Sequence, residues 1–126
     1  FSESKPWLPV NEDSRIVNVY RQDDHQTSLL NFYRRVINLR KKERALYQGD
    51  WIPADTGRDI LAYYREDGDS CFFIALNFSG SERRCKANNA SHFEVTVSTN
   101  RMPNARMSIK DFVLNPYEVL IARRIN

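Results

Sequence analysis

The chain contains few of the residues from which catalytic and metal centres are built. Its 126 residues include two histidines, two cysteines and four glycines. Neither His25 nor His92 has a partner at metal-ligand or triad spacing, so we expect both at the surface. The glycines stand singly, which excludes a glycine-rich phosphate loop. The sequence therefore predicts no metal site and no cofactor.

The two cysteines, Cys71 and Cys85, form neither a zinc spacing nor a C-x-x-C pair. They fall in predicted strands on either side of a turn at residues 79–82. A tight hairpin there would place Cys85 opposite Leu76 rather than opposite Cys71. We therefore expect two free, buried thiols, which leave the redox compartment open.

Long apolar runs are also absent. No stretch approaches the roughly 20 apolar residues of a membrane span, and the polar N-terminus lacks a signal-peptide pattern. The chain does not begin with methionine, so we expect a processed piece of a longer protein. The net charge of +3 is mild. No aromatic residues interleave the one basic cluster, which predicts a solvated helix end and neither a membrane nor a nucleic-acid partner. The cluster comprises Arg34, Arg35, Arg40, Lys41, Lys42 and Arg44.

Periodicity divides the chain into a helical part and a β-rich part. Residues 1 to about 26 contain two prolines and predict an extended loop. Helical spacing of apolar residues then predicts an amphipathic helix over 27–46, with Asp24, Thr27 or Ser28 as candidate N-caps. Seven β-rich runs separated by turn residues follow, and they predict an antiparallel sandwich or Greek key. The runs are Gln48–Ile52, Ile60–Arg65, Cys71–Phe78, Glu82–Ala87, Phe93–Ser98, Met107–Phe112 and Glu118–Arg124.

The predicted fold class is therefore α+β, with a loop and one helix in residues 1–46 and an antiparallel β domain in residues 47–126. Cys71–Phe78 is apolar on both faces, which predicts a central strand. Asp67-Gly68 is the strongest hairpin signal. The apolar stripe of the helix must be buried, either by a sheet of this chain or by a neighbouring domain that the chain lacks.

The acidic residues predict no catalytic pair. Acid–base catalysis by carboxyl groups requires two of them in one site with different pKa values. Most candidates lie at predicted turns, where an aspartate bends the chain and faces water. They are Asp50, Asp55, Asp59, Glu66, Asp67 and Asp69. We therefore expect no catalytic residue in this chain.

Aromatic residues that could stack on sugar rings are Trp7, Tyr20 and Trp51, and packing is the favoured interpretation of both tryptophans. Trp7 lies in a loop between two prolines and is the best candidate for a position near a substrate. The pattern for N-glycosylation occurs at Asn77 and Asn89. Phe78, the middle residue of the first pattern, ends a predicted buried strand, so Asn89 is the usable site if the parent protein is secreted by a eukaryote.

Four motifs, in this order, resemble the C-terminal end of the α-glucosidase branch of glycoside hydrolase family 13, which includes the oligo-1,6-glucosidases. They are Lys5-Pro6-Trp7-Leu8-Pro9-Val10-Asn11, Leu39-Arg40-Lys41-Lys42, Leu76-Asn77-Phe78-Ser79-Gly80 and Pro116-Tyr117-Glu118. Glu12, Asp13 and Ser14 depart from the usual continuation of the first motif.

The resemblance implies that residues 1–46 are the rim loop and last helix of a catalytic (β/α)8 barrel, followed by the C-terminal β domain. Trp7 would lie near the rim of the active-site pocket. The family's catalytic carboxylates have no counterpart here, so this chain alone would be non-catalytic and structural. The parent would hydrolyse or transfer α-glucosyl groups of small α-glucosides with retention, and its barrel would be the partner of this chain. Its location would be the cytoplasm in a bacterium, or the cell surface or exterior in an animal.

Two alternatives remain open. The heavy subunits of amino-acid transporters share the barrel and β domain but lack the catalytic carboxylates. A self-standing carbohydrate-binding β module would need an exposed aromatic platform, for which Trp51 with Tyr63 or Tyr64 is the only candidate set.

Overall fold

A computed structural model describes residues 4–87 and 91–125. The chain divides into two compact units, Phe1–Asn38 and Leu39–Asn126. The first unit is helical, and the second contains a six-stranded and a two-stranded antiparallel sheet. This architecture confirms the predicted fold class, whereas the domain division after residue 46 stays a prediction. Within the described residues, no helix is both long and apolar enough to cross a membrane.

The N-terminal segment contains more helix than its sequence predicts. A 3₁₀ turn spans Glu12–Arg15, and helix α1 spans Val19–Asp23. The oxygen of Asn11 accepts a hydrogen bond from the Asp13 amide at 3.4 Å, and that of Asn18 accepts one from the Arg21 amide at 2.9 Å. Asparagine at the N-cap satisfies amides that have no partner inside the helix. The prediction of an extended loop is therefore wrong for the helical residues within 12–23, since elements of four or five residues are too short to show a period.

The main helix, α2, spans Leu29–Lys42. Its N-cap is Ser28, whose Oγ accepts a hydrogen bond from the Asn31 amide at 3.2 Å. The Asn31 side chain donates to the carbonyl oxygens of Gln22, Asp23 and His25 at 2.9–3.0 Å. The single predicted helix is in fact two, because a separate turn of helix, α3, spans Arg44–Tyr47. No residue of α2 is buried.

The large sheet has the strand order β1-β2-β3-β8-β5-β6, and the small sheet pairs β4 with β7. The strands are β1 (Asp50–Pro53), β2 (Ile60–Asp67), β3 (Ser70–Asn77), β4 (Arg83–Cys85), β5 (His92–Ser98), β6 (Arg106–Ser108), β7 (Phe112–Leu114) and β8 (Val119–Ile125). The predicted central strand is confirmed, since β3 lies between β2 and β8 and is buried along most of its length.

Side chains alternate between two faces of the large sheet. The inner face carries Phe73, Phe93 and Leu120, which form the core together with Leu114 of the small sheet. The outer face carries Phe72, Ile74 and Ile121, which are also buried. Both sides of β3 are therefore excluded from water.

The Asp67-Gly68 hairpin is confirmed. Asp67 lies opposite Ser70, and Gly68 has a φ of 56° that a residue with a side chain rarely adopts. The hairpin predicted at residues 79–82 would pair β3 with β4, and this is wrong. β3 belongs to the large sheet, whereas β4 pairs with β7 in the small sheet. The predicted strand Met107–Phe112 is also wrong. The chain turns between β6 and β7 at Ile109, which is fully buried and accepts a hydrogen bond from the Ala87 amide at 3.1 Å.

Both cysteines are free and fully buried in the inner core, as predicted. The reason differs from the predicted hairpin, since β3 and β4 belong to different sheets. Burial raises the pKa of Cys71 to about 12, with a further contribution from a hydrogen bond to Glu66. Burial alone raises the pKa of Cys85 to about 11.

Because of these thiols, we expect the free energy of unfolding to fall at alkaline pH. In the unfolded chain they titrate near pH 9, while the folded chain keeps them protonated to about pH 11–12. Their contribution to the free energy of unfolding is complete below pH 9. It is lost as the pH rises from 9 towards the pKa values of the folded chain, since the unfolded state then binds fewer protons than the folded state. We expect each thiol to lower the free energy of unfolding by about 1 kcal/mol between pH 8 and pH 10. Urea titrations at both pH values test this against a Cys71→Ala, Cys85→Ala double variant, and equal losses in the two proteins would contradict it.

Gly49 permits the close approach of α3 to β2. A Cβ at this position would lie 2.5 Å from the carbonyl oxygens of both Ala45 and Glu66. Gly49→Ala should therefore cost about 2 kcal/mol or more in unfolding free energy. Gly80→Ala is the matched control, because the added Cβ would meet the hydroxyl oxygen of Tyr117 at 3.1 Å, and that side chain can move. A loss for Gly49→Ala no larger than that for Gly80→Ala, measured by urea unfolding, would refute this explanation.

Candidate functional site

Three of the six acidic residues considered from the sequence form ion pairs with arginines. Asp59 pairs with Arg83 at 3.0 Å, Asp67 with Arg44 at 3.2 Å and Glu66 with Arg124 at 3.3 Å. A shallow polar cleft is lined by Gln48, Gly49, Asp50, Glu66, Asp67 and Gly68. Within residues 4–87 and 91–125, no group of three or more histidine, cysteine or acidic side chains is arranged to hold a metal ion.

The two tryptophans are both exposed. Trp7 lies in the first unit with 91% of its surface accessible, so packing within the described part of the chain is not its role. Its proposed position near a substrate stays a prediction. Trp51 is 54% exposed on the edge strand β1, which makes the prediction of core packing wrong. It contacts the ring of Tyr63 instead, at 5.8 Å between centroids.

Of the two glycosylation patterns, the one that begins at Asn77 lies within the described residues. Asn77 is buried, and its side-chain nitrogen donates to the carbonyl oxygens of Ser81 and Asn115, both at 2.8 Å. That nitrogen is therefore unavailable to a glycan in the folded chain. Asn89, the predicted acceptor, lies outside the described residues.

A buried carboxylate that was not considered from the sequence lies at the centre of a polar network. Glu118 has no exposed surface and precedes β8. Its Oε1 accepts hydrogen bonds from Arg101 Nε at 2.6 Å and from Ser98 Oγ at 3.2 Å. Its Oε2 accepts from the backbone and side-chain nitrogens of Asn115, at 2.8 and 2.9 Å. Both oxygens are thus fully occupied.

The network extends to the loop after β3. The Asn77 amide donates to the Glu118 carbonyl at 3.0 Å. The side-chain oxygen of Asn77 accepts hydrogen bonds from the amide and hydroxyl of Ser79 at 3.0 and 2.8 Å. Asparagine stabilises a turn in this way by imitating a backbone carbonyl. This turn carries the chain out of the large sheet and into the small one.

Tyr117 lies on the exposed side of the network. Its φ is 54°, a left-handed conformation that is strained for a bulky side chain. The Tyr117 amide donates to the Ser79 carbonyl at 3.1 Å, which holds the backbone in place. The two sequence motifs that end in Gly80 and Glu118 therefore meet in space, and what they build is a structural junction.

The junction has a structural role because its polar groups form hydrogen bonds with one another. An acid–base catalyst must exchange a proton with a ligand, whereas the Glu118 oxygens face Arg101, Ser98 and Asn115. Its only sequence signal was the motif Pro116-Tyr117-Glu118, whose glutamate is a residue type that is rarely buried without a partner. The partner, Arg101, is 17 positions away, and periodicity does not identify it.

Removing the charge of Glu118 should destabilise the fold. Glu118→Gln would leave the Arg101 guanidinium, whose side chain is 26% exposed, facing a neutral amide. We expect a loss of about 2–4 kcal/mol in unfolding free energy, because breaking a buried pair leaves a charge uncompensated. The control is Asp111→Asn, which removes the exposed partner of Arg84 and should change stability far less. Equal effects in thermal or urea unfolding would contradict a central role for Glu118.

The chain is similar to parts of several longer proteins. A family model described as the α-amylase catalytic domain matches residues 1–49. An α-glucosidase of Candida albicans is 31% identical over 121 residues, which cover 94% of this chain and 20% of the relative. An amino acid transporter heavy chain of Mus musculus is 29% identical over 92% of this chain and 27% of its own length.

The fold is also found in solved structures. A mutant isomaltulose synthase from Erwinia rhapontici, crystallised with D-glucose, superposes with a TM-score of 0.86 at 24% identity. That match covers 100% of this chain and 23% of the synthase. The chain thus spans about a fifth of the length of the α-glucosidase and the synthase. Over nearly its whole length, the chain is similar to the α-glucosidases of glycoside hydrolase family 13.

Proposed function

We propose that the chain is the non-catalytic C-terminal portion of a retaining α-glucosidase-type glycoside hydrolase, with a structural role of packing against the catalytic barrel. The observation that carries the proposal is the coverage of the matches. Similarity extends over 94% of this chain but only 20% of the Candida albicans α-glucosidase. A chain that corresponds to one part of a larger enzyme is expected to function within it.

The surface of α2 supports this proposal. Leu29, Tyr33 and Ile37 recur at four-residue spacing, and each is 48–66% exposed. Residues four apart lie on one side of a helix, so these form an apolar stripe. A stripe of this kind is stabilised when another element covers it. The barrel that the family match at residues 1–49 implies is the natural candidate for that element.

The parent enzyme would act on small α-glucosides such as maltose, isomaltose or sucrose. Of the acidic residues that are candidates for catalysis, Asp59, Glu66 and Asp67 are engaged in ion pairs with arginines. The catalytic carboxylates would therefore be supplied by the barrel, and the β unit would contribute stability to it.

A second candidate function rests on the transporter heavy chain, whose identity of 29% over 92% of this chain is close to that of the α-glucosidase. In that case the parent would share the fold but not the hydrolytic activity. Both candidates give the β unit the same structural role.

Activity measurements separate the possibilities. We expect this 126-residue chain to show no hydrolysis of a chromogenic aryl α-glucoside above the buffer blank. The longer polypeptide that contains it, isolated from its source, should hydrolyse the same substrate with retention of the anomeric configuration. Hydrolysis by the 126-residue chain itself would refute the non-catalytic role. A longer polypeptide without activity would favour the heavy-chain candidate.

A further inference from the structure

The first glycosylation pattern, Asn77-Phe78-Ser79, lies where the chain leaves the large sheet. Asn77 is the last residue of β3, and Ser79 lies on the path to β4. A transferase recognises the pattern from the order of its residues, so it can act on the chain before folding wherever glycosylation accompanies synthesis. The fold determines what such a modification would do, because the same residues form the turn of the junction.

Both hydrogens of the Asn77 side-chain nitrogen are used in the fold. An asparagine amide carries two N–H donors, and here they bond the carbonyl oxygens of Ser81 and Asn115, each 2.8 Å from Nδ2. N-glycosylation replaces one of these hydrogens by C1 of a sugar, at a C–N bond length of about 1.45 Å. The sugar carbon would then lie about 1.4 Å from a carbonyl oxygen, whereas a carbon and an oxygen that are not bonded stay more than about 3 Å apart.

The Asn77 amide group cannot turn away from these oxygens. Its Oδ1 accepts hydrogen bonds from the amide and the hydroxyl of Ser79 at 3.0 and 2.8 Å, which fixes the plane of the group. A flip would place Oδ1 against the two carbonyl oxygens, and neither of these can donate. Asn77 is also only 3% exposed, and its backbone amide donates to the Glu118 carbonyl at 3.0 Å. A sugar on Nδ2 therefore fits only if the junction opens.

We propose that a glycan on Asn77 and the native fold exclude each other, so that Asn77 is a modification site at which glycosylation diverts the chain from folding. In this step Asn77 Nδ2 forms a bond to C1 of a lipid-linked oligosaccharide diphosphate. The bond from C1 to the diphosphate oxygen breaks, the diphosphate leaves with the electron pair, and Nδ2 gives up one proton. The inference rests on the residues of the junction and is independent of the proposed function.

The fate of each molecule depends on whether folding or glycosylation comes first. In a compartment without the transferase the pattern has no effect, and every chain can form the junction. In the secretory pathway of a eukaryote, a chain that folds first withdraws Asn77 Nδ2 from the transferase, whereas a chain that is glycosylated first cannot close the junction. Folded molecules therefore carry no glycan at Asn77 in either compartment.

The occupancy of Asn77 in folded and unfolded molecules tests the proposal. The longer polypeptide that contains this chain is fused to a secretion signal and produced in eukaryotic cells. Mass spectrometry then measures the glycan at Asn77 in the secreted fraction and in the fraction retained in the cells. We expect occupancy to be at least about tenfold lower in the secreted fraction, since the loss of one buried hydrogen bond already shifts a folding equilibrium by about that factor.

Met102→Thr provides the matched control. It creates a second glycosylation pattern that begins at Asn100, in the loop between β5 and β6, where Asn100 and Met102 are both exposed. Asn100 should carry a glycan in the secreted fraction, which would show that the transferase reaches this unit and that the folded chain tolerates a glycan elsewhere. Produced in a bacterial cytoplasm that lacks the transferase, the longer polypeptide should unfold cooperatively in urea.

Each of the other outcomes overturns the proposal. A glycan at Asn77 in the secreted fraction, at an occupancy similar to that of Asn100 in the control, would refute the exclusion. A retained polypeptide that carries the Asn77 glycan and shows the same urea transition as the cytoplasmic one would refute it as well. Asn77 without a glycan in both fractions, beside a modified Asn100 in the control, would refute the diversion from folding. None of these measurements involves hydrolysis of an α-glucoside, so the proposed function is tested separately.

Discussion

The burial of strand β3 on both sides is the constraint on which the second unit depends. Cys71, Phe73 and Ala75 face the inner core, while Phe72 and Ile74 face the outer side. A strand of this composition is stable only if each side is covered, since an exposed face would forfeit about 25 cal/mol for each Å² of apolar surface. The small sheet covers the inner side, and α3 covers part of the outer side.

The junction around Glu118 allows the small sheet to reach its place. To cover the inner face, the chain must leave β3, change sheets and return to β8 beside β3. Asn77 turns the chain at the exit. On the return, Glu118 fixes the chain by accepting hydrogen bonds from Arg101 and Asn115. The left-handed backbone of Tyr117 is strained, and the hydrogen bond from its amide to the Ser79 carbonyl holds it in that conformation. A buried, fully bonded polar cluster of this kind specifies one topology, whereas apolar packing alone would tolerate several.

The sequence predicts the elements whose signals are local. The α2 helix, the central strand and the Asp67-Gly68 hairpin follow from periodicity and turn chemistry within a few residues. The hairpin predicted after β3 is wrong, because the course of the chain there depends on a hydrogen bond from Asn77 to Asn115, 38 positions away. The predicted core packing of Trp51 is wrong, because β propensity does not distinguish an edge strand from a central one. The burial of Glu118 has no local signal in the sequence, since its partner Arg101 is 17 positions away. Asn89 lies outside the described residues.

We propose that this chain covers and stabilises the catalytic part of a larger glycoside hydrolase. The most direct test is the intact mass of the native polypeptide that contains it, measured from its source. The account predicts a mass above 14.8 kDa by at least a barrel of about 250 residues. A native species of 14.8 kDa would contradict it, since the exposed apolar stripe of α2 would then have no barrel to cover it.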